Sequence, residues 1–316
     1  MNKFKKVGLS ALAGSLVATS AMAGEISVAG SAGMYLEHIN GGAANAGKSF
    51  SMDNQLTFTG GGELDNGLNV SVSFVIDQGD GVSATTAPFD SHSVTVSSDA
   101  FGSVTMHGEG MSSASGALDS TPSGNIWDAF QAAADEPEAA PGAVGGLSFA
   151  LPTLMDGLAL SASYTPKGTN ADSSSAFGIV YTGVEGLTLT YASGTDNNSL
   201  SSEADHTVMS AKYAMGPITV AVMQSEYDDE VAAGDQVTDA YSIAYTVSDE
   251  LSISYGSEEL SVGGTTVDAE YTAVVVAYTS GGMTITGKME NADNVDNSNN
   301  ANADQEFWGL TAAFAF

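Results

Sequence analysis

Apolar and polar residues alternate, one position at a time, along most of the chain. The run from Leu68 to Asp77 shows the pattern, with leucine, valine, phenylalanine and isoleucine at every second position. Successive side chains on a strand point to opposite faces, so each such run predicts a strand with one apolar and one polar face. Similar runs occupy residues 158–165, 187–191, 218–222, 241–247, 251–255 and 283–289.

The segments between these runs fall into two length classes. Seven are short and hold the Gly, Asp, Asn or Pro residues that tight turns use, as in Asp65-Asn66-Gly67. Eight are longer and polar, and they alternate with the short ones. The pattern predicts about 16 antiparallel strands, with turns at one end and long loops at the other. An even number brings the first strand, residues 25–37, beside the last, residues 305–316, so no edge stays open.

The polar face of these strands is unlike the surface of a soluble sheet. It is rich in Ser, Thr, Asn, Ala and Gly, while the apolar face often carries an aromatic residue near a strand end, as at Tyr164, Tyr245 and Tyr255. Apolar-out, polar-in strands with aromatic girdles are typical of membrane barrels. The predicted fold is therefore all-β, a transmembrane antiparallel β-barrel. A soluble β-sandwich, which turns its apolar face inward, is the alternative.

One stretch, residues 108–146, lacks this alternation for more than thirty residues. We expect this loop to fold into the lumen of the barrel, since connections this long are usually functional or disordered. Asn125 is a candidate cap for a helix from Ile126 to about Ala134, with Ile126, Trp127 and Phe130 packed on the wall. The carboxylates of the segment would then face water as a pore constriction: Asp119, Asp128, Asp135, Glu136 and Glu138. The alternative is a mobile extracellular loop.

Composition and charge narrow the class further. Residues 1–23 have a basic start, an apolar centre and the cleavage pattern Ala21-Met22-Ala23, which together predict a signal peptide for export. The domain prediction is thus a signal peptide at 1–23 and one barrel at 24–316. The formal charge of the full chain is −31, and without the three signal lysines it is three lower, at −34. Such a chain repels nucleic acid, and the absence of cysteine excludes disulfides and thiolate chemistry.

Several motifs resemble catalytic or metal-binding sites, but the sequence around each of them does not support that function. Residues 42–49, GAANAGKS, match a phosphate-binding loop, but a strand pattern follows them instead of a helix. The four histidines lack metal-ligand spacing, and a lumenal Ser–His hydrolytic pair stays only as an alternative. We interpret the acidic clusters, among them Glu258-Glu259, as solvated loops. They are candidates for Ca²⁺ or Mg²⁺, but none matches a defined calcium loop, so no cofactor and no enzyme activity are predicted.

The mature chain resembles the general diffusion porins of Gram-negative outer membranes, in particular the alphaproteobacterial type. The resemblance rests on EISVAGSAGMYLE after the signal, the hairpin count, one long connection after the fifth strand, and the ending EFWGLTAAFAF. It implies a third loop that narrows the lumen, a homotrimer, and a last strand read by the outer-membrane insertion machinery through Trp308, Phe314 and Phe316. Family members usually place wall arginines opposite the loop carboxylates, and this chain has no arginine.

The predicted function is a channel for passive diffusion of small hydrophilic solutes and ions, selective for cations. Lys212 and Lys288 share strand faces with Ser and Thr residues, so we expect both on the pore wall. Outer-membrane lipid and lipopolysaccharide are the expected surroundings, with export by the signal peptide. The alternative is a barrel-anchored structural or adhesive protein whose acidic loops bind cations.

Overall fold

The computed structural model describes residues 26–42, 47–77, 89–130, 137, 145–166, 172–199, 202–231, 234–300 and 302–316. Within these residues sixteen strands pair in chain order, each antiparallel to the next, as predicted. The strands are β1 Ile26–Gly41, β2 Gly47–Glu63, β3 Asn69–Asp77, β4 Phe89–Ser98, β5 Gly102–Glu109, β6 Gly146–Ala150, β7 Leu158–Thr165, β8 Ser174–Val184, β9 Leu187–Ser199, β10 Ser202–Met215, β11 Ile218–Asp229, β12 Gln236–Thr246, β13 Leu251–Val262, β14 Ala269–Ser280, β15 Met283–Asp293 and β16 Gln305–Ala315.

The sheet closes on itself through β1 and β16, which confirms the predicted barrel. Eleven residues of β1 have partners on β16, from Ser31 opposite Ala315 to Gly41 opposite Gln305. Beyond that register, Gly30 and Phe316 exchange two backbone hydrogen bonds of 2.7 and 2.9 Å. The closure satisfies the backbone groups that an open sheet would leave at its two edges.

Side chains alternate between the outside and the lumen along each strand. On β10, Met209 and Tyr213 are exposed on the outside, whereas His206 and Val208 are buried on the lumenal side. The outward face carries exposed apolar side chains on most strands, including Ile243 and Val276. This arrangement is the reverse of a soluble sandwich and fits a barrel whose outer face meets lipid.

Several strands extend into segments that the sequence predicted to be loops. Strand β9 continues to Ser199 and β10 begins at Ser202, although residues 194–203 were expected to connect them. Strand β13 likewise continues through Glu258 and Glu259 to Val262, so their interpretation as a solvated loop is wrong. Cross-strand hydrogen bonds and contacts with the lumenal loop override the weak local pattern of these polar segments.

Three further sequence predictions have different outcomes in this structure. The predicted signal peptide, residues 1–23, lies outside the described residues. The strand expected after the phosphate-loop match is confirmed as part of β2, which already begins at Gly47, so Lys48 lies in a strand and not in a loop. No helix among the described residues is long and apolar enough to cross a membrane.

Buried side chains concentrate on one part of the lumenal wall. One cluster joins Ile126 and Phe130 of the long loop to Leu260, Tyr271 and neighbouring residues of β13–β15. A second joins Ala192, Val208, Met223 and Ala240 of β9–β12, with Leu118 of the loop packed on it. The core of this barrel therefore lies between the long loop and the wall beneath it.

Candidate functional site

The described stretch of the long loop after β5, residues 110–130, lies along the inner wall of the barrel. The backbone N–H of Ala114 donates to Ser163 Oγ on β7 at 2.8 Å, and Leu118 packs against β9 and β10. Further along, Ser123 Oγ donates to the Tyr241 carbonyl on β12 at 3.3 Å. The described part of the loop thus lies inside the lumen, as the sequence predicted.

Asp119 forms the first charged contact between loop and wall. Its Oδ2 lies 2.9 Å from His206 Nε2 on β10, and Ser225 Oγ on β11 lies 3.2 Å from the same nitrogen. A carboxylate can only accept hydrogen bonds, so His206 Nε2 carries the hydrogen and donates a hydrogen bond to Asp119. The expectation that Asp119 would be free in the pore water is therefore wrong. A buried imidazole on the wall supplies a partner that the loop sequence alone does not reveal.

This Asp–His–Ser group does not have the geometry of a hydrolytic triad. In a triad the aspartate and the serine contact different ring nitrogens. Here both contact Nε2, while Nδ1 is buried without a partner among the described residues. The His206 side chain is also fully buried, with 0% exposure, so no substrate reaches it. The group attaches the loop to the wall.

Glu258 on β13 forms the second charged contact. Thr121 Oγ1 donates a short hydrogen bond to Glu258 Oε1, and the backbone N–H of Trp127 donates to Oε2 at 3.4 Å. Glu258 is only 2% exposed, far from the solvated role that we predicted for it. A buried carboxylate needs such donors, because an uncompensated buried charge is expensive. The carboxylate therefore holds both sides of the turn formed by residues 121–127.

The predicted helix is shorter than expected and is capped differently. It is a 3₁₀-helix, Ile126–Ala129, and Phe130 is already extended, while residues 131–134 lie outside the described residues. Asn125 adopts a left-handed conformation and its side chain caps no helical N–H; its Oδ1 instead accepts from the Thr121 N–H at 2.9 Å. Glu258 from the wall takes the capping place, because its carboxylate accepts the Trp127 N–H.

Apolar contacts fix the same segment, as the sequence predicted. Ile126 and Phe130 are buried against Leu260 and Tyr271, and Trp127 packs at the edge of the cluster. The rings of Phe130 and Tyr271 lie 5.9 Å apart at a tilt of 33°, within the range of favourable aromatic pairs. Burial of these side chains makes the segment part of the wall.

The remaining predicted site residues occupy separate places. Asp128 and Lys288 line one cavity, described below. Lys212 lies on the lumenal face of β10, six residues beyond His206, which is about 20 Å along a strand.

The predicted assembly residues lie on or beside β16. Trp308 lies on its outward face, in register with His38 and Met289, and Phe316 is exposed beside Gly30. Phe314 shares the outward face of β16 with Trp308. Asp135, Glu136 and Glu138 lie outside the described residues.

The cavity lies between the loop and the seam of the barrel and has a volume of about 250 Å³. Lys288 of β15 forms its cationic side, but its Nζ lies 3.4 Å from Oε1 of the buried Glu290 on the same strand. Gly309 of β16 lies in register between Lys288 and Glu37 of β1. The cavity is lined by Glu37, Ile39, Gly124, Asn125, Asp128, Ala129, Lys288 and Phe307.

The lumenal face of β1–β5 differs from the wall beneath the loop, and we call it the open wall. Its side chains are mainly hydroxyls that bond to one another, as Thr95 and Thr105 do at 2.8 Å. Its charged groups include Asp53, which accepts from the Tyr35 hydroxyl at 2.5 Å. None of the described lumenal residues of β1–β5 is a lysine, and the chain has no arginine.

No group of three or more His, Asp or Glu side chains in the described ranges is arranged to hold a metal ion. Binding of Ca²⁺ or Mg²⁺ by the acidic loops stays a prediction.

Comparison with known proteins decides the family. The family model for Gram-negative porins matches residues 8–259. The chain belongs to the Gram-negative porin family. Family and fold together make it an outer-membrane channel protein of the β-barrel type, as the resemblance of the sequence implied.

Solved porins share the fold of this member at low sequence identity. The anion-selective porin from Comamonas acidovorans matches with a TM-score of 0.70 and 15% identity, over 93% of this chain and 100% of its own. A triple mutant of the Rhodopseudomonas blastica porin matches with a TM-score of 0.70 and 15% identity, over 92% of this chain and 100% of its own. No curated protein sequence matches the chain. At this identity the structural likeness concerns the fold alone.

Proposed function

We propose that this porin forms a water-filled channel for passive diffusion of small hydrophilic solutes and ions, with a preference for cations. The observation that carries the preference is the imbalance of lumenal charge. Two lysines, Lys212 and Lys288, lie on the described lumenal face, opposed by carboxylates on the loop and on the open wall. A barrel of sixteen strands is wide enough for an aqueous channel.

The two lysines offset little of this negative charge. Lys288 is already paired with Glu290, and Lys212 lies about 20 Å along its strand from the level of His206. Asp128 is exposed and lines the cavity beside the loop. A narrow low-dielectric passage with such a carboxylate raises the local concentration of counter-ions. Salt weakens the effect, since the Debye length falls from about 10 Å at 0.1 M to about 3 Å at 1 M.

The solved relatives indicate that the barrel fold alone does not determine ion selectivity. The Comamonas acidovorans porin has nearly the same fold and is anion-selective. Selectivity in this architecture therefore follows the lumenal side chains. In the present chain the open wall carries Glu37 and Asp53 and, among its described residues, no lysine.

The test is the reversal potential of purified protein in a planar bilayer under a KCl gradient. An effective bias of about 1 kcal/mol gives roughly fivefold preference for K⁺, because about 1.4 kcal/mol corresponds to tenfold. Combined replacement of the loop carboxylates, Asp128→Asn, Asp135→Asn, Glu136→Gln and Glu138→Gln, should reduce the preference. The control is Asp228→Asn with Asp229→Asn at the end of β11.

Two results would contradict the proposal in different ways. An anion-selective wild type overturns the charge argument as a whole. A cation-selective wild type that the loop substitutions leave unchanged places the selectivity elsewhere in the lumen. Absence of any channel conductance would favour the barrel-anchored adhesive alternative.

We also propose assembly as a homotrimer in the outer membrane after removal of residues 1–23. In support, Phe50 and Met52 of β2 and Met34 of β1 lie together on the outer face and are among its more exposed apolar side chains, at 84, 66 and 56%. Trp308, Phe314 and Phe316 on β16 are the proposed assembly signal. Deletion of Phe316 should reduce the heat-modifiable oligomer on gels, and normal assembly of the shortened chain would contradict this role.

A further inference from the structure

The connection between β15 and β16, residues 294–304, packs on the lumenal wall although its sequence is almost entirely polar. Its one large apolar residue, Val295, is 3% exposed and lies in the buried cluster that also holds Ile126 and Phe130 of the long loop. We propose that this connection, which we call the outer loop, positions the 126–130 segment and makes the channel current respond to events at the outer surface. The inference deepens the proposed channel function and rests on it.

Asn297 attaches the outer loop to the wall. Its Nδ2 donates to the backbone carbonyl of Leu260 at 2.8 Å and to that of Val267 at 3.1 Å, at the end of β13 and in the connection that follows it. Asn297 is 6% exposed, so both bonds lie where water does not readily replace them. The Val295 N–H donates to the Ala303 carbonyl at 2.9 Å and closes the outer loop on itself.

The outer loop and the long loop pack on the same part of the wall. The short helical turns Val295–Asn297 and Ile126–Ala129 both contact β13 and β14. Leu260 and Tyr271 of these strands are each 1% exposed and belong to the cluster that contains residues of both loops. Departure of the outer loop would expose part of this cluster to water and weaken the apolar packing of Phe130. The positions of the two loops are therefore coupled through the wall.

Two features lower the cost of moving the outer loop. Asn294, Asp296 and Asn297 have φ of 57, 59 and 47°, in the left-handed region. Such conformations cost free energy even for Asn and Asp, and they persist only where the surroundings fix them. The Asn297 Oδ1 is also buried without a partner among the described residues. Both costs are relieved when the loop leaves the wall, which is expected of an element with two positions rather than of a fixed core.

The first test is single-channel recording, with the frequency of partial closures as the readout. Asn297→Asp keeps the shape of the side chain but places an oxygen against two carbonyl oxygens, so the outer loop should leave the wall and the freed 126–130 segment should enter the current path. Partial closures should become about tenfold more frequent, the change expected when a buried carbonyl loses its donor. Asn299→Asp adds the same charge at an exposed position of the same loop and should change the frequency by less than about twofold.

The second test moves the outer loop without removing any of its contacts. The chain has no cysteine, so Asn299→Cys supplies a unique thiol for a biotin reagent. Streptavidin added on the side of the long connections should then increase the partial closures, because its bulk holds the loop away from the wall. The same label at Val231→Cys, an exposed residue after β11, is the control and should leave the closures unchanged. A residue needed only for folding would not produce this response in a protein that is already folded.

The outcomes separate this inference from the proposed function. Equal closure frequencies in Asn297→Asp and Asn299→Asp overturn it, because the closures would then report added charge or nothing at all. Equal responses to streptavidin at positions 299 and 231 also overturn it, and this comparison decides alone if Asn297→Asp does not assemble. A wild type without any conductance would instead refute the channel itself.

Discussion

The two sides of the lumen are built on different principles. Beneath the loop, the wall of β8–β15 contains buried alanines, Leu260, Tyr271, His206 and Glu258, packed as in the core of a soluble protein. On the open wall, Gly33 and Val75 are the only buried residues among those described in β1–β5. The same barrel thus has a dry side that gives the loop its position and a wet side that faces the solute path.

Polar residues on the two sides differ in how readily water can replace their hydrogen-bond partners. A serine or threonine of the open wall can exchange its partner for water at little cost. Glu258 and His206 lose their partners at a higher cost, because both side chains are buried and their partners include groups of the loop. Substitutions on the dry side should therefore disturb loop and barrel together, and substitutions on the open wall should stay local.

The largest effect is expected from Tyr271→Ala on the dry side. Tyr271 is 1% exposed and packs on Phe130, and truncation of a large buried aromatic residue typically costs about 3–5 kcal/mol of unfolding free energy. Tyr35→Ala is the matched control, because Tyr35 also points into the lumen but is only half-buried on the open wall. It should cost about 1 kcal/mol in urea unfolding of the barrel in detergent. Equal costs would refute the contrast between the sides.

A smaller effect is expected from Glu258→Ala. The change leaves Thr121 Oγ1 and the Trp127 N–H without their acceptor, at about 1–3 kcal/mol for buried groups. The freed turn should raise the open-channel current noise of single channels. Glu258→Gln keeps one acceptor oxygen at nearly the same volume and should fall between the wild type and the alanine variant. Noise at the wild-type level in Glu258→Ala would show that the apolar cluster alone holds the turn.

The smallest effect is expected from His206→Ala. Asp119 loses its donor but its side chain is 13% exposed, so water can replace part of the bond, and Leu118 keeps its apolar contacts. We expect about 1 kcal/mol in unfolding and a modest rise in current noise. His206→Gln, which can still donate to Asp119, should restore most of both. A loss larger than that of Glu258→Ala would reverse the order of the two attachments.

The barrel was predictable from sequence because its pattern repeats. Each strand carries period-two alternation, and errors at single strand ends, such as the end of β9 beyond Tyr191, do not change the strand count.

The position of the long loop inside the barrel was predictable from the sequence, but its contacts with the wall were not. The partners of Asp119 and Thr121 lie 87 and 137 residues away, and no local pattern identifies them. One signal was present: Leu260 and Tyr271 lie on the face of β13 and β14 that should be polar, which indicates that something covers them.

Closure of the sheet by β1 and β16 also sets the timing of folding. The edge of β1 that receives Phe316 comes before all the other strands in sequence order, but its partner β16 follows the other fifteen strands of the barrel. Pairing across so many residues is slow, and an unpaired strand edge readily pairs with other chains in the meantime. Every intermediate before that step has two free edges. The chain therefore needs protection from self-association until its final strand is in place, and a barrel shortened from that end would lose its closure along with its last strand.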